Sequence, residues 1–121
     1  MTKRILVVED LDDNRQILCD LLSAAGFDLI EAVDGESGIA MAQVHKPDLI
    51  LMDIQLPLID GYEATRRIKA DPALAHIPVI AVTSYALSGD EEKTRAAGCD
   101  AYVAKPFSPR QLLSKVRELI G

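Results

Sequence analysis

Residues 49–61 read LILMDIQLPLIDG. Four apolar residues, Leu49 to Met52, run straight into Asp53, and Pro57 and Asp60-Gly61 then signal a loop. An unbroken apolar run of this length is the pattern of a strand covered on both faces, as in a parallel sheet. Burying an unpaired charge is costly, so an aspartate at the end of such a strand needs an explanation.

Working outward, the same kind of run recurs at Ile5-Val8 and Val79-Val82, with weaker ones at Leu29-Val33 and Ala101-Ala104. Helical patterns lie between them. Ile17, Leu18, Leu21, Leu22 and Ala25 form one stripe, with Gly26 as a stop. Ile39, Ala40, Ala42, Gln43 and Val44 lie in a less regular second segment, and Ala64, Thr65 and Ile68 mark a third. The charged run Asp90 to Ala97, ending at Gly98, is a fourth, read as a solvated helix face. Leu112, Leu113, Val116 and Ile120 form the clearest stripe, opened by Ser108-Pro109-Arg110-Gln111 as N-cap, first-turn proline and capping-box glutamine. Five βα units with short connections predict an α/β doubly wound domain with a parallel sheet.

The chain of 121 residues suits one domain with one core, and its hydrophobic content of 49% excludes disorder. A formal net charge of -6 argues against a nucleic-acid partner or an anionic membrane surface. The opening apolar run is too short for a signal peptide or a membrane helix. Cys19 and Cys99 form no CxxC pair and read as reduced thiols of a cytoplasmic protein, with Cys19 a packing residue. His45 and His76 have no neighbours at metal-ligand spacing.

In a parallel sheet, Glu9-Asp10, Asp53, Thr83-Ser84 and Lys105-Pro106 all fall at the carboxyl ends of strands, where open α/β sheets bind ligands. In the strand order 2-1-3-4-5, three carboxylates converge near a hydroxyl and an ammonium. In the order that puts strand four beside strand one, Asp53 is remote from Asp10. The first order places Asp53 at the mouth of the sheet rather than in the core. Clustered carboxylates raise one another's pKa, and a hard cation such as Mg²⁺ removes the repulsion. A carboxylate beside Mg²⁺ and a lysine can act as an acyl-phosphate nucleophile, with Thr83 donating to a phosphoryl oxygen.

Each residue also has a plainer reading. Asp53 alone can be a turn residue, and Glu9-Asp10 can favour the next helix through its dipole, although Asp12 and Asp13 are better placed as caps. Lys105 can be a solvated lysine, Thr83 a β-former, and Tyr102 a core aromatic.

The motifs VVED (Glu9, Asp10), LILMDIQLPLIDG (Asp53), IAVTS (Thr83) and YVAKPF (Tyr102, Lys105), spaced in this order, resemble the receiver domain of two-component response regulators, the CheY-like family, over residues 1–121. The resemblance implies a flavodoxin-like fold: a doubly wound five-stranded parallel sheet, order 2-1-3-4-5, with helices on both faces. It implies that Asp53 accepts a phosphoryl group from a histidine kinase or histidine phosphotransfer protein. Asp10, Asp53 and the Gln55 carbonyl would ligate Mg²⁺, supported by Glu9, and Lys105 would contact the phosphoryl group. Thr83 and Tyr102 would be a switch pair, and Gln55 and Tyr85 would tune the phosphoryl lifetime. The Lys105-Pro106 bond would be cis. The output surface would be the fourth helix, fifth strand and fifth helix, facing a downstream effector protein or kinase, in a monomer that is not itself an enzyme.

Residues 76–106 look closest to DivK-like single-domain regulators of cell division and polarity, and also resemble receivers attached to hybrid histidine kinases. Leu11 departs from the family, where many members carry asparagine. Two rival classes share parts of this pattern. An aspartyl-phosphate hydrolase of the haloacid dehalogenase kind needs a second aspartate where Gln55 stands. A nucleotide or flavin module lacks support, because no G-x-G-x-x-G or G-x-x-x-x-G-K-[ST] is present.

Overall fold

The computed structural model describes residues 2–83 and 90–120, without the side chains of 90 and 91. The elements in chain order are β1 (Arg4–Val8), α1 (Asp12–Ala24), β2 (Asp28–Ala32), α2 (Gly35–His45), β3 (Leu49–Asp53), α3 (Gly61–Ala70), β4 (Val79–Thr83), α4 (Asp90–Ala97), β5 (Ala101–Ala104) and α5 (Pro109–Ile120). The strands form one parallel sheet in the order β2-β1-β3-β4-β5. This is the order that brings β1 and β3 together.

The central strands are apolar throughout because both of their faces are covered. Ile5, Val7, Leu49, Leu51, Ile80 and Val82 face α1 and α5, meeting Leu18, Cys19 and Leu22 of one and Leu112 and Val116 of the other. Leu6, Val8, Ile50, Met52 and Val79 face the opposite side, meeting Ala42 of α2 and Ala64 and Ile68 of α3. Helix α4 packs on α3 and β5. Both cysteines are free thiols, and Cys19 lies in the core, where burial pushes its pKa up to about 11.

Several local expectations are corrected. Ile17 is exposed, because the buried arc of α1 runs through Leu18, Cys19 and Leu22. Asp12 and Asp13 are first-turn residues rather than caps. The N-cap position is Leu11, which offers no side-chain oxygen, so the two carboxylates favour the helix end through its dipole rather than by capping it. Strand β2 ends at Ala32, leaving Val33 exposed, and Val44 of α2 is also exposed. At α5, Ser108 Oγ accepts from the Gln111 N–H at 3.4 Å. A reciprocal capping box that was not expected stands on α2. There Asp34 accepts from Ser37 N–H at 2.7 Å, and Ser37 Oγ accepts from Asp34 N–H at 3.2 Å.

Candidate functional site

The sheet ends where the polar residues begin. Val8, the last residue of β1, is in register with Met52 of β3, so Glu9, just past β1, falls beside Asp53, the last residue of β3. Asp53 pairs with Val82 across β3 and β4, and Thr83 pairs with Ala104 across β4 and β5. This pairing puts Lys105, one residue past β5, next to the Thr83 backbone, where its N–H donates to the Thr83 carbonyl at 2.7 Å. Four consecutive positions along the sheet edge therefore each deliver one functional group. The Lys105-Pro106 bond is cis.

Asp53 stands at the mouth of the sheet yet is buried, with 4% of its surface exposed. The expectation that it lies outside the core therefore needs correcting, and its neighbours show why the burial is tolerated. Lys105 Nζ is 3.1 Å from Asp53 Oδ1, which also accepts from the Gln55 N–H at 3.1 Å. Glu9 is 1% exposed and lies 3.7 Å from Lys105 Nζ. Among the described residues, neither Glu9 oxygen has a hydrogen-bond partner. Burial, and after it the adjacent Asp53 carboxylate, pushes the Glu9 pKa up to about 8, against the pull of Asn14 and Lys105. Glu9, Asp10 and Asp53 can each offer an oxygen within 4.8 Å of the others.

Two buried carboxylate oxygens without a hydrogen bond among the described residues, beside two more carboxylates, form a hard, all-oxygen donor set with excess negative charge. Such a set fits a divalent cation of the Mg²⁺ type. Asp10 is only half-buried, which leaves the group open to solvent on one side.

Thr83 is buried, and its Oγ1 lies 3.3 Å from Gln55 Nε2. The Gln55 side chain thus bridges the loop after β3 to the end of β4. A cleft of about 570 Å³ opens beside Asp53 and Lys105, walled on its apolar side by Ile17, Leu18 and Phe107. This location explains why Ile17 is not in the core. Tyr102 is half-buried on β5 and lines a separate groove with Arg95, Arg110 and Lys115. Tyr85 lies outside the described residues. His76 is exposed, and His45 accepts from Arg4 through its backbone carbonyl at 2.9 Å.

Two residues at the site escaped the sequence reading. Arg15 of α1 donates to the Glu9 carbonyl, and nothing in the sequence separates it from an ordinary helix-surface arginine. Gly61 opens α3 directly against the backbone of Asp53 and Ile54. Its place after Asp60 suggested a turn, whereas the need for it is close approach: a Cβ there would overlap the Asp53 carbonyl.

Comparison with known proteins agrees with this architecture. The chain is 45% identical to the polar-differentiation response regulator DivK of Brucella ovis, over all of this chain and 98% of that protein. The Brucella anthropi DivK is 44% identical with the same coverage. The receiver domain of the sensor histidine kinase PA1611 from Pseudomonas aeruginosa, whose structure holds a magnesium ion in the active-site cleft, superposes with a TM-score of 0.92 at 37% identity, covering 100% of this chain and 99% of that one. Vibrio cholerae CheY4 superposes with a TM-score of 0.93 at 25% identity, covering 98% and 99%. Residues 5–117 match the family described as the response regulator receiver domain, and the chain belongs to that family.

Proposed function

We propose that this protein is a phosphorylation-controlled switch, one receiver domain over residues 1–121, that accepts a phosphoryl group on Asp53 from a phosphohistidine donor. The observation that carries the reading is the buried Asp53 carboxylate, 3.1 Å from Lys105 Nζ and clustered with Glu9 and Asp10. One Asp53 oxygen attacks phosphorus, the O–P bond forms as the donor's N–P bond breaks, and the imidazole leaves with the bonding pair and takes up a proton. Lys105 balances negative charge on the moving group. Asp10, Asp53 and the Gln55 carbonyl, backed by Glu9, are the groups that would hold Mg²⁺, which when bound offsets charge on the phosphoryl oxygens.

The Thr83 hydroxyl then turns from Gln55 to donate to a phosphoryl oxygen, and Tyr102 moves inward behind it. Each is a differential contact that biases two existing states. Gln55 and Tyr85 set how readily water reaches the phosphorus. The product is a conformational signal rather than turnover of a substrate. It passes through α4, β5 and α5 to an effector protein or kinase.

The DivK relatives, named for polar differentiation, support a role in cell polarity, with cell division a part of the same proposal, and the likeness to the receiver domain of the sensor histidine kinase PA1611 supports a receiver of hybrid-kinase type as the second reading. The acidic charge supports a monomeric protein without nucleic-acid or anionic-membrane partners, and we place it in the cytoplasm on the reading of its cysteines as reduced thiols. Among the described residues no helix is long and apolar enough to cross a membrane. The test is intact mass after incubation with a small phosphodonor and Mg²⁺. Wild type should gain one phosphoryl group and Asp53→Asn none; equal gain in Asp53→Asn would overturn the assignment.

A further inference from the structure

Arg15 makes three bonds in three directions. Nη1 donates to the backbone carbonyl of Glu9 at 2.9 Å, Nε to Glu31 Oε1 at 3.0 Å, and Nη2 to Asp12 Oδ1 at 2.6 Å. Its side chain is only 15% exposed. On the other side of the same residue, the Glu9 N–H donates to the Ala32 carbonyl at 3.1 Å. The backbone of Glu9 is therefore held between β2 and α1, and Glu31 of β2 braces the guanidinium that does half of the holding.

The Glu9 carbonyl lies in the planar peptide that joins Glu9 to Asp10. Fixing its direction fixes that plane, and the direction in which Asp10 leaves β1 follows from it. We infer that Arg15 is a positioning residue for the Asp10 carboxylate: by clamping the Glu9 carbonyl against β2 and the first turn of α1, it aims Asp10 at the cation position beside Asp53. This rests on the Mg²⁺ reading above. A planar fork with separate N–H groups is needed to reach a carbonyl and two carboxylates at once, and a lysine ammonium does not reproduce it.

A purely electrostatic role has the opposite sign. A positive charge near a cation site repels the cation, so deleting it would tighten Mg²⁺ binding. Loss of positioning weakens binding, by about tenfold where an outer partner of a metal ligand is removed.

The experiment is a Mg²⁺ titration of wild type, Arg15→Lys and Arg15→Met, without phosphodonor, read by calorimetry and by backbone amide shifts. A metal-free melting curve of each shows that it is folded. Both variants should bind Mg²⁺ about tenfold more weakly, Arg15→Lys included although it keeps the charge. Wild-type affinity in Arg15→Lys, or tighter binding in Arg15→Met, overturns the inference alone. A wild type that binds no Mg²⁺ overturns the proposed metal site and this inference with it.

Discussion

Glu9 has a carboxylate closed off from water with no hydrogen bond to either oxygen among the described residues, and its pKa is raised to about 8 by burial first and by Asp53 second. The consequence for metal-free protein has a definite sign. A group whose folded pKa lies above its ordinary value of 4.5 contributes fully to stability below that value, and the contribution is lost as the pH rises toward and through about 8. In the presence of a chelator, wild type should lose thermal stability across this window. Glu9→Gln, which cannot ionise, should melt about 5 °C or more above wild type at the upper end. The gap should close near the lower end. Thermal melts of both proteins across this range check it, and parallel curves would show that the charge of Glu9 is not the source. The same residue illustrates what single positions disclose. Glu9, Asp10, Asp53 and Lys105 were legible because each follows an apolar run, and a parallel sheet must bring such ends together. The burial of Asp53 was not legible, since it depends on Lys105 reaching within 3.1 Å across two strands.

Helix α3 shows how an element can be tied to the site by what it lacks. Gly61 N–H donates to the Ile54 carbonyl at 3.0 Å, and an added Cβ would overlap the Asp53 carbonyl and lie 2.8 Å from Ile54 Cα. Those neighbours are backbone, so they cannot swing aside. Gly61→Ala should cost about 1–3 kcal/mol, as other overpacked sites do, and should slow phosphorylation of Asp53 by displacing the end of β3. Denaturant melts and phosphorylation rates measured together check it, and an unaltered protein would mean that α3 slides freely over the site. The helices also differ in how much of them the sequence disclosed. Those whose buried face is built from large apolar residues, such as Leu112 and Val116 of α5, were evident from spacing. Helix α2 showed only as a less regular segment, because its buried positions are Gly35, Gly38 and Ala42. Small residues let it approach Val8 and Ile59 closely, and small residues leave a weak stripe. Its capping box was missed because Ser37 occupies the place where glutamate or glutamine is usual.

For the whole molecule, the cation site proposed above would couple stability to the ion. Any ligand of the native state alone raises the melting temperature, with about 2.7 kcal/mol gained at a hundredfold excess over Kd. Saturating Mg²⁺ should therefore raise the melting temperature of wild type by several degrees, and Asp10→Ala should show almost no rise. Scanning calorimetry with and without Mg²⁺ checks this, and an equal rise in both proteins would remove Asp10 from the site. The strand order that made this site recognisable has one more effect. Glu9 follows the first strand, and Lys105 follows the last, at the far edge of the sheet. A ribosome releases Glu9, Asp10 and Asp53 well before Lys105, and β5 can dock only on a β4 already in place. A half-made or truncated chain thus holds the carboxylates without their counter-charge. The signal proposed here is written best once β5 has docked, so readiness to receive it doubles as a report that the last strand is in place.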